Sequence, residues 1–166
     1  NAQGAPTVNR NSGVAAYRCE YDARNNKVKE QCYGTDGRPC LNHNGTSIEE
    51  WTYNEFRQRT SVSYRDTQGA PCLCADGYAC KKTIYDAMGR QIGIEFYGTD
   101  GKLCRADNPP VARLTRSYDR QNRVLEEAYY DADGTLCCIT DADGDTYAGI
   151  RYNYSTDAEG YEEMEV

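Results

Sequence analysis

The sequence predicts an all-β protein built from tandem repeats of about 33 residues, because two independent markers share that period. The first marker is the glycine of an Asp-Gly or Gln-Gly turn, which recurs at steps of 33, 32, 32 and 33 residues: Gly4, Gly37, Gly69, Gly101 and Gly134. The second marker is a tyrosine that opens a Tyr-Asp or Tyr-Asn turn, at steps of 32, 32 and 33 residues: Tyr21, Tyr53, Tyr85 and Tyr118. Chance does not explain two markers with one spacing.

Each repeat is predicted to hold three short antiparallel strands. The first strand ends at the turn tyrosine, as in SIEEWTY at 47–53. The second strand follows the turn and alternates polar with apolar residues, as in QIGIEFY at 91–97, which is typical of a half-buried strand. An Asp-Gly hairpin turn then leads to a short third strand, as in KLCRA at 102–106. The units predict an elongated array of β-hairpins, with a closed five-unit ring as the alternative.

The repeat phase divides residues 1–166, a single repeat array, into whole and half units. The boundaries are a half repeat at 1–20, repeats at about 21–52, 53–84, 85–117 and 118–151, and a half repeat at 152–166. The first segment matches the second half of a repeat, and the last matches the first half. We expect the two halves to complete each other between copies, which gives a head-to-tail homopolymer. Ring closure, and an arbitrary cut through a longer array, are the alternatives.

Composition narrows the classes of partner. The formal net charge is −7, and an acidic surface repels nucleic acid and anionic membranes. No apolar run approaches the roughly 18 residues of a membrane span. No charged and apolar leader is visible, so we expect any signal peptide to have been removed or to lie outside this sequence. The 15 tyrosines stand against 2 phenylalanines and 1 tryptophan, which favours many half-buried strands over a thick apolar core.

The nine cysteines favour an oxidising location, extracellular or on the cell surface. Four of them follow the turn glycine by three residues and form a column, Cys40, Cys72, Cys104 and Cys137; the others are Cys19, Cys32, Cys74, Cys80 and Cys138. Three strands per repeat would separate column neighbours by about 14 Å, beyond the roughly 7 Å that a disulfide tolerates between Cα atoms.

Disulfides are therefore expected between column and off-column cysteines. The candidate pairs are Cys19 with Cys40 or Cys32, and Cys80 with Cys72, Cys74 or Cys104. An odd number leaves at least one thiol free or bonded between chains. Two alternatives remain: zinc held by the three thiolates of CLCADGYAC at 72–80, although its spacing is not that of a zinc ribbon or finger, and thiols that are buried and reduced.

Two further patterns suggest modification or metal binding. Asp141, Asp143 and Asp145 place carboxylates at alternate positions, a spacing that can ligate calcium, the one cofactor considered. Turn chemistry explains the same residues without metal, because the glycine and the final glutamate of a calcium loop are not at their usual places. Asn44 and Asn153 fit the acceptor pattern for N-glycosylation.

The sequence does not favour an enzyme. The one histidine, His43, stands between two asparagines in a predicted loop, and no phosphate-binding or dinucleotide-binding motif occurs. Adjacent acids such as Glu49 and Glu50 point to opposite faces of a strand, so they do not form a catalytic pair.

Rows of tyrosine offer a second function. The turn tyrosines are expected to lie in the core, whereas Tyr33, Tyr97 and Tyr130 form a second column that we expect on the opposite, exposed face. Tyrosine presents a rigid aromatic area with a polar tip, which suits a carbohydrate- or protein-binding surface. Such a module is the alternative to a structural role.

The segments YDAMGRQIGIEFYGTDG at 85–101 and YDRQNRVLEEAYYDADG at 118–134 resemble the YD repeats of the rearrangement-hotspot family of bacterial surface and secreted proteins. The resemblance covers most of residues 17–152 and implies hairpin repeats, a long spiralling sheet and export. The period here is longer than the roughly twenty residues of that family's unit, and the cysteines are unusual for it. The resemblance carries no toxin activity to this chain. Together these patterns predict a non-enzymatic fibre or cell-surface repeat unit.

Overall fold

The computed structural model describes residues 7–154 and the backbone of 162–165. The chain divides into two compact units, one from the described part of Asn1–Lys82 with Tyr97–Lys102, the other from Thr83–Phe96 with the described part of Leu103–Val166. Every regular element in the described residues is a β-strand, and strands that follow each other in the hairpins, such as β1 and β2, β3 and β4, and β7 and β8, pair antiparallel. The all-β prediction of antiparallel hairpins is confirmed.

The first unit contains four complete strands and the beginning of a fifth: β1 Ala16–Tyr21, β2 Lys27–Tyr33, β3 Ile48–Tyr53, β4 Arg59–Arg65 and β5 Cys80–Tyr85. Each strand pairs with the next one along the chain. β2 is the only strand beside β1 in the described residues, so β1 is an edge strand. A closed ring has no edge strand, so the ring alternative does not fit.

The second unit begins within β5 and continues in the same hairpin order. Its further strands are β6 Gln91–Tyr97, β7 Arg113–Tyr118, β8 Val124–Tyr130, β11 Gly149–Tyr154 and β12 Glu162–Glu165. β8 pairs with β11, because the two short strands β9 Ile139–Thr140 and β10 Thr146–Tyr147 pair only with each other. β12 pairs with β11.

The Tyr-Asp turn is built by its own aspartate. The amide of Asp22 donates to the carbonyl of Asn26 at 2.9 Å, and Oδ1 of Asp22 accepts from the amides of Arg24 and Asn26 at 2.9 and 2.8 Å. Asn25 takes φ = 62°, as predicted, because the turn needs a residue that tolerates the left-handed region. Asn54, Asp86 and Asp119 repeat this arrangement.

The third segment of the repeat is shorter than predicted. It makes one bridge residue per repeat, Pro39 opposite Tyr33, Pro71 opposite Arg65 and Leu136 opposite Tyr130. The place beside the second strand is already taken, because the amide of Cys32 donates to the carbonyl of Ser47 at 2.8 Å, just before β3. Two full strands per repeat bring neighbouring column cysteines to about 10 Å, not 14 Å, which still exceeds the span of a disulfide.

One group of buried residues lies where the chain returns to the sheet after the turn that follows the third segment. The amide of Ser47 donates to the carbonyl of Arg65 at 2.9 Å while its carbonyl accepts from Cys32. Corresponding bonds are made by one small residue in each later repeat, Ala79, Ala112 and Ala148. The preceding residues are buried: Val14, Thr46, Tyr78 and Val111. A turn that contains a glycine of positive φ precedes this return in three of the repeats, at Gly13, Gly45 and Gly77, so this part of the core is periodic.

Candidate interaction surfaces

The turn tyrosines connect each repeat to the one before it. The hydroxyl of Tyr53 donates to the carbonyl of Lys27 at 2.8 Å, and that of Tyr118 donates to the carbonyl of Gln91 at 2.8 Å. The guanidinium of Arg90 lies 5.0 Å from the ring centroid of Tyr118. Each ring is half-buried against the first residues of the preceding second strand. These tyrosines therefore act as links between repeats.

The tyrosines of the edge strand β1 are the exception. Tyr21 is 58 % exposed and Tyr17 is 44 % exposed, and five of the six residues of β1 are exposed. In the described residues no second strand precedes β1, so Tyr21 has no preceding repeat against which to pack. β1 thus presents two aromatic rings beside an open row of backbone groups, a surface suited to pairing with another strand.

Two of the four ladders that join successive hairpins in the described residues place opposite charges face to face at one register position. Lys29 of β2 lies opposite Glu50 of β3, with 3.7 Å between Nζ and Oε1. Glu126 of β8 lies opposite Arg151 of β11, with 3.5 Å between Oε1 and Nη2. The charge order is reversed between the two ladders, but both pairs hold neighbouring repeats in the same register.

The next position of the first ladder sets like charges against each other. Glu30 of β2 lies opposite Glu49 of β3. Burial raises the pKa of Glu49, and the charge of Glu30 raises it further. Lys27 offsets part of this repulsion, because its ammonium group lies 2.7 Å from Oε2 of Glu30. The repulsion between Glu30 and Glu49 therefore destabilises this part of the sheet.

The structure does not present the second tyrosine column as a flat aromatic platform. Tyr33, Tyr97 and Tyr130 are half-buried. The ammonium group of Lys82 lies 4.3 Å from the ring centroid of Tyr97, and the guanidinium of Arg113 lies 4.3 Å from that of Tyr130. A sugar ring would have to stack on the same faces of Tyr97 and Tyr130 that these cations cover, so the two rings do not offer a free stacking surface.

The nine cysteines differ in burial and in what faces them. Cys32 and Cys74 are buried, Cys138 is exposed, and the others are half-buried. Register places Cys19 opposite Glu30 and Cys80 opposite Ser63, so neither lies directly opposite a cysteine. The disulfides predicted for Cys19 and Cys80 stay predictions. Burial raises the pKa of the Cys32 thiol to about 11.

The predicted metal sites are not assembled. Oδ1 of Asp141 accepts from the amides of Asp143 and Asp145 at 3.0 and 2.9 Å, so this carboxylate builds a turn. Among residues 7–154 and 162–165, no three histidine, cysteine or acidic side chains form a group that could hold a metal ion. This applies to both the calcium triplet and the cysteines at 72–80.

The two glycosylation candidates lie in different settings. Asn44 is half-buried, and its Oδ1 accepts from the amide of Ala75 at 3.1 Å, which joins the third turns of two neighbouring repeats. Asn153 is exposed on β11, opposite Glu163 of β12. Asn153 is therefore the more accessible of the two.

Comparisons with known proteins do not place the chain in a family. No protein-family model matches the sequence, and no curated protein matches it. The structure is similar to part of the crystal structure of TcdB2-TccC3-Cdc42, with 16 % identity and a TM-score of 0.39 over 85 % of this chain. The match spans 8 % of the length of that chain. Within the described residues, none of the elements is a helix of the length and hydropathy that a membrane span requires.

Proposed function

We propose that this chain is a non-enzymatic, exported structural repeat protein that assembles head to tail. The last strand of one copy, β12, adds to the edge strand β1 of the next copy. The observation that carries the proposal is the exposure of Tyr21, whose equivalents Tyr53 and Tyr118 pack on a preceding second strand. An added strand satisfies the open backbone groups of β1 and covers Tyr17 and Tyr21. Export rests on the nine cysteines and on the resemblance to YD repeats.

The register of the existing ladders specifies how the added strand would pair. The residue three places before a turn tyrosine lies opposite the residue that faces, across the preceding hairpin, the place before that hairpin's own turn tyrosine. Glu50 lies opposite Lys29, which faces Glu20, and Arg151 lies opposite Glu126, which faces Ser117. By that rule Arg18, three places before Tyr21, takes as its partner the residue of β12 that faces Asn153, the place before Tyr154. That residue is Glu163.

Charge supports this register. Arg18 opposite Glu163 repeats the pairing of opposite charges that Lys29 makes with Glu50 and Glu126 with Arg151. Opposite charges directly across a ladder stabilise pairing, and like charges oppose it. The same arrangement therefore acts between copies as within one. The carbohydrate-binding alternative has less support, because cations lie over the rings of Tyr97 and Tyr130.

The test reverses each charge of this pair in turn. Assembly of each variant is measured by sedimentation velocity and light scattering over a concentration series. Wild-type protein should form species larger than a monomer as concentration rises. Arg18→Glu alone and Glu163→Arg alone should weaken assembly, because each sets like charges opposite each other. A mixture of the two variants should assemble again, since each supplies the complement of the other. Arg38→Glu, at an exposed turn position, makes the same change of charge as Arg18→Glu and should leave assembly unchanged.

A wild-type protein that stays monomeric at the highest soluble concentration would sink the proposal. So would a loss of assembly in Arg38→Glu as large as in Arg18→Glu, since net charge and not register would then control it. Failure of the two variants to assemble on mixing would reject the Arg18–Glu163 register.

A further inference from the structure

One member of the cysteine column faces a second cysteine across a hairpin. Tyr33 and Pro39 form an antiparallel bridge, so the next pair outward is Cys32 with Cys40, and the amide of Cys40 donates to the carbonyl of Cys32 at 3.1 Å. The same bond in later repeats joins each column cysteine to an aromatic residue: Cys72 to Tyr64, Cys104 to Phe96 and Cys137 to Tyr129. The first repeat therefore differs from the others at this position.

The backbone geometry of this pair suits a disulfide. Cys32 and Cys40 share one of the two hydrogen bonds of a hydrogen-bonded antiparallel pair, since the amide of Cys32 donates to Ser47. Such pairs have Cα atoms about 5.5 Å apart, which lies within the roughly 4.4–6.8 Å that a disulfide spans. Their side chains lie on the same face of the hairpin. Cys32 is 3 % exposed, whereas Cys40 is half-buried. The Cys40 thiol is therefore accessible to an oxidant in solvent, and the Cys32 thiol can be oxidised by reaction with Cys40.

We propose that Cys32 and Cys40 form an intramolecular disulfide across the turn at residues 34–38, by exchange with a small-molecule disulfide such as oxidised glutathione. The Cys40 thiol loses its proton and attacks one glutathione sulfur, and a glutathione thiolate leaves. Cys32 then loses its proton and attacks the Cys40 sulfur of the mixed disulfide, and the second glutathione leaves. Two cysteine thiols are oxidised, and one glutathione disulfide is reduced to two thiols.

The electrostatics agree with this order of attack. Burial, and after it the neighbouring Cys40, raise the pKa of Cys32 to about 11. The pKa of Cys40 is also raised by burial, and then by Asp36 in the turn. The more accessible Cys40 is therefore the first thiol to exchange. The disulfide would close the turn beside the β1–β2 hairpin, at the exposed edge of the first unit.

Peptide mapping tests the pair directly. Folded protein is equilibrated with reduced and oxidised glutathione, its remaining thiols are alkylated, and it is digested with a protease that cleaves before aspartate. Cleavage before Asp22, Asp36 and Asp66 puts Cys32 on peptide 22–35 and Cys40 on peptide 36–65, and neither peptide contains another cysteine. The expected product is these two peptides joined, separating after reduction. Trypsin is unsuitable because it cuts poorly between Arg38 and Pro39.

Variants control for other pairings. Cys104→Ala removes a column cysteine from another repeat and should leave the yield of the joined peptide unchanged. Cys40→Ser changes a half-buried position and should abolish that peptide, with circular dichroism confirming that the variant is folded. Recovery of both wild-type peptides fully alkylated after oxidation would overturn the proposal, as would Cys32 or Cys40 joined to Cys19 or to any other cysteine.

Discussion

The β1–β2 and β7–β8 hairpins have the same local geometry and different burial. Each ladder shifts register at the residue before the turn tyrosine, after Glu20 in one and after Ser117 in the other. Each turn is closed by an aspartate that accepts from two backbone amides. Yet five of six residues are exposed in β1, and one of six is exposed in β7. The hairpin is specified locally, and burial depends on the strand that precedes it.

The position four residues before the turn tyrosine shows this dependence in single residues. Tyr17 occupies it in β1 and is 44 % exposed, whereas Leu114 occupies it in β7 and is 5 % exposed. Tyr17 lies opposite Cys32 and Leu114 lies opposite Tyr129, so both face a buried partner across their own hairpin. Leu114 also lies opposite Ile94 of β6, and β1 has no such neighbour in the described residues.

The largest expected effect is the difference in unfolding free energy between a substitution at Leu114 and one at Tyr17. Leu114→Ala should lower the free energy of unfolding by about 2–3 kcal/mol, because it leaves a cavity in a packed ladder. Tyr17→Ala should change it by less than about 0.5 kcal/mol under conditions where the protein is monomeric. Urea unfolding of both variants measures the difference. Equal losses would show that β1 is packed as fully as β7 and would remove the reason to add a strand there.

Local chemistry made the repeat and its two turns predictable. An aspartate that bonds its own backbone, and a residue that tolerates positive φ three places later, act within five residues, so Asp22 and Asn25 could be assigned from sequence. The prediction of a full third strand was wrong because another segment of the chain occupies the position beside the second strand. Ser47, just before β3, accepts the hydrogen bond of the Cys32 amide, and the short sequence of the third segment carries no sign of that competition.

Features that depend on cross-strand register could not be read from the chain. The cations over Tyr97 and Tyr130 come from the strands that precede these tyrosines, Lys82 from β5 and Arg113 from β7, and Cys32 faces Cys40 only once the turn between them is closed. The turn that follows the third segment did leave a signal in the sequence, because Gly13, Gly45 and Gly77 recur at steps of 32 residues. Searching for a third periodic marker would have found it.

The turn tyrosines should show a smaller contrast. Tyr118→Phe removes the bond to the carbonyl of Gln91 and should cost about 1 kcal/mol of unfolding free energy, because that half-buried acceptor loses its donor. Tyr21→Phe, at an exposed position, should have no measurable effect on the monomer. Thermal and urea unfolding of the pair provide the measurement. If Tyr21→Phe costs as much as Tyr118→Phe, the tyrosine hydroxyl acts within its own hairpin and does not link repeats.

The smallest effect concerns Glu49, which occupies in β3 the same position as Leu114 in β7. Burial and the facing charge of Glu30 raise its pKa, while Lys27 and Arg59 lower it in part; Tyr64 lies opposite on β4. A raised folded-state pKa means that the penalty is absent below the ordinary glutamate pKa. It grows as pH rises and is complete above the raised value. Glu49→Gln should therefore stabilise the protein at pH 7, by under about 1 kcal/mol, and have no benefit near pH 4.

The neighbouring Glu50 provides the control for that last effect. It lies on the opposite face of β3 and is paired, with 2.6 Å from its Oε2 to Nε of Arg65 and 3.7 Å from its Oε1 to Nζ of Lys29. Glu50→Gln loses those ion pairs, so its stability at pH 7 should fall slightly where that of Glu49→Gln rises. Unfolding midpoints measured at pH 4 and pH 7 for both variants compare the two signs. A fall in both variants at pH 7 would mean that Glu49 is stabilised by its cations more than it is opposed by Glu30, and that a charged residue at this position costs nothing.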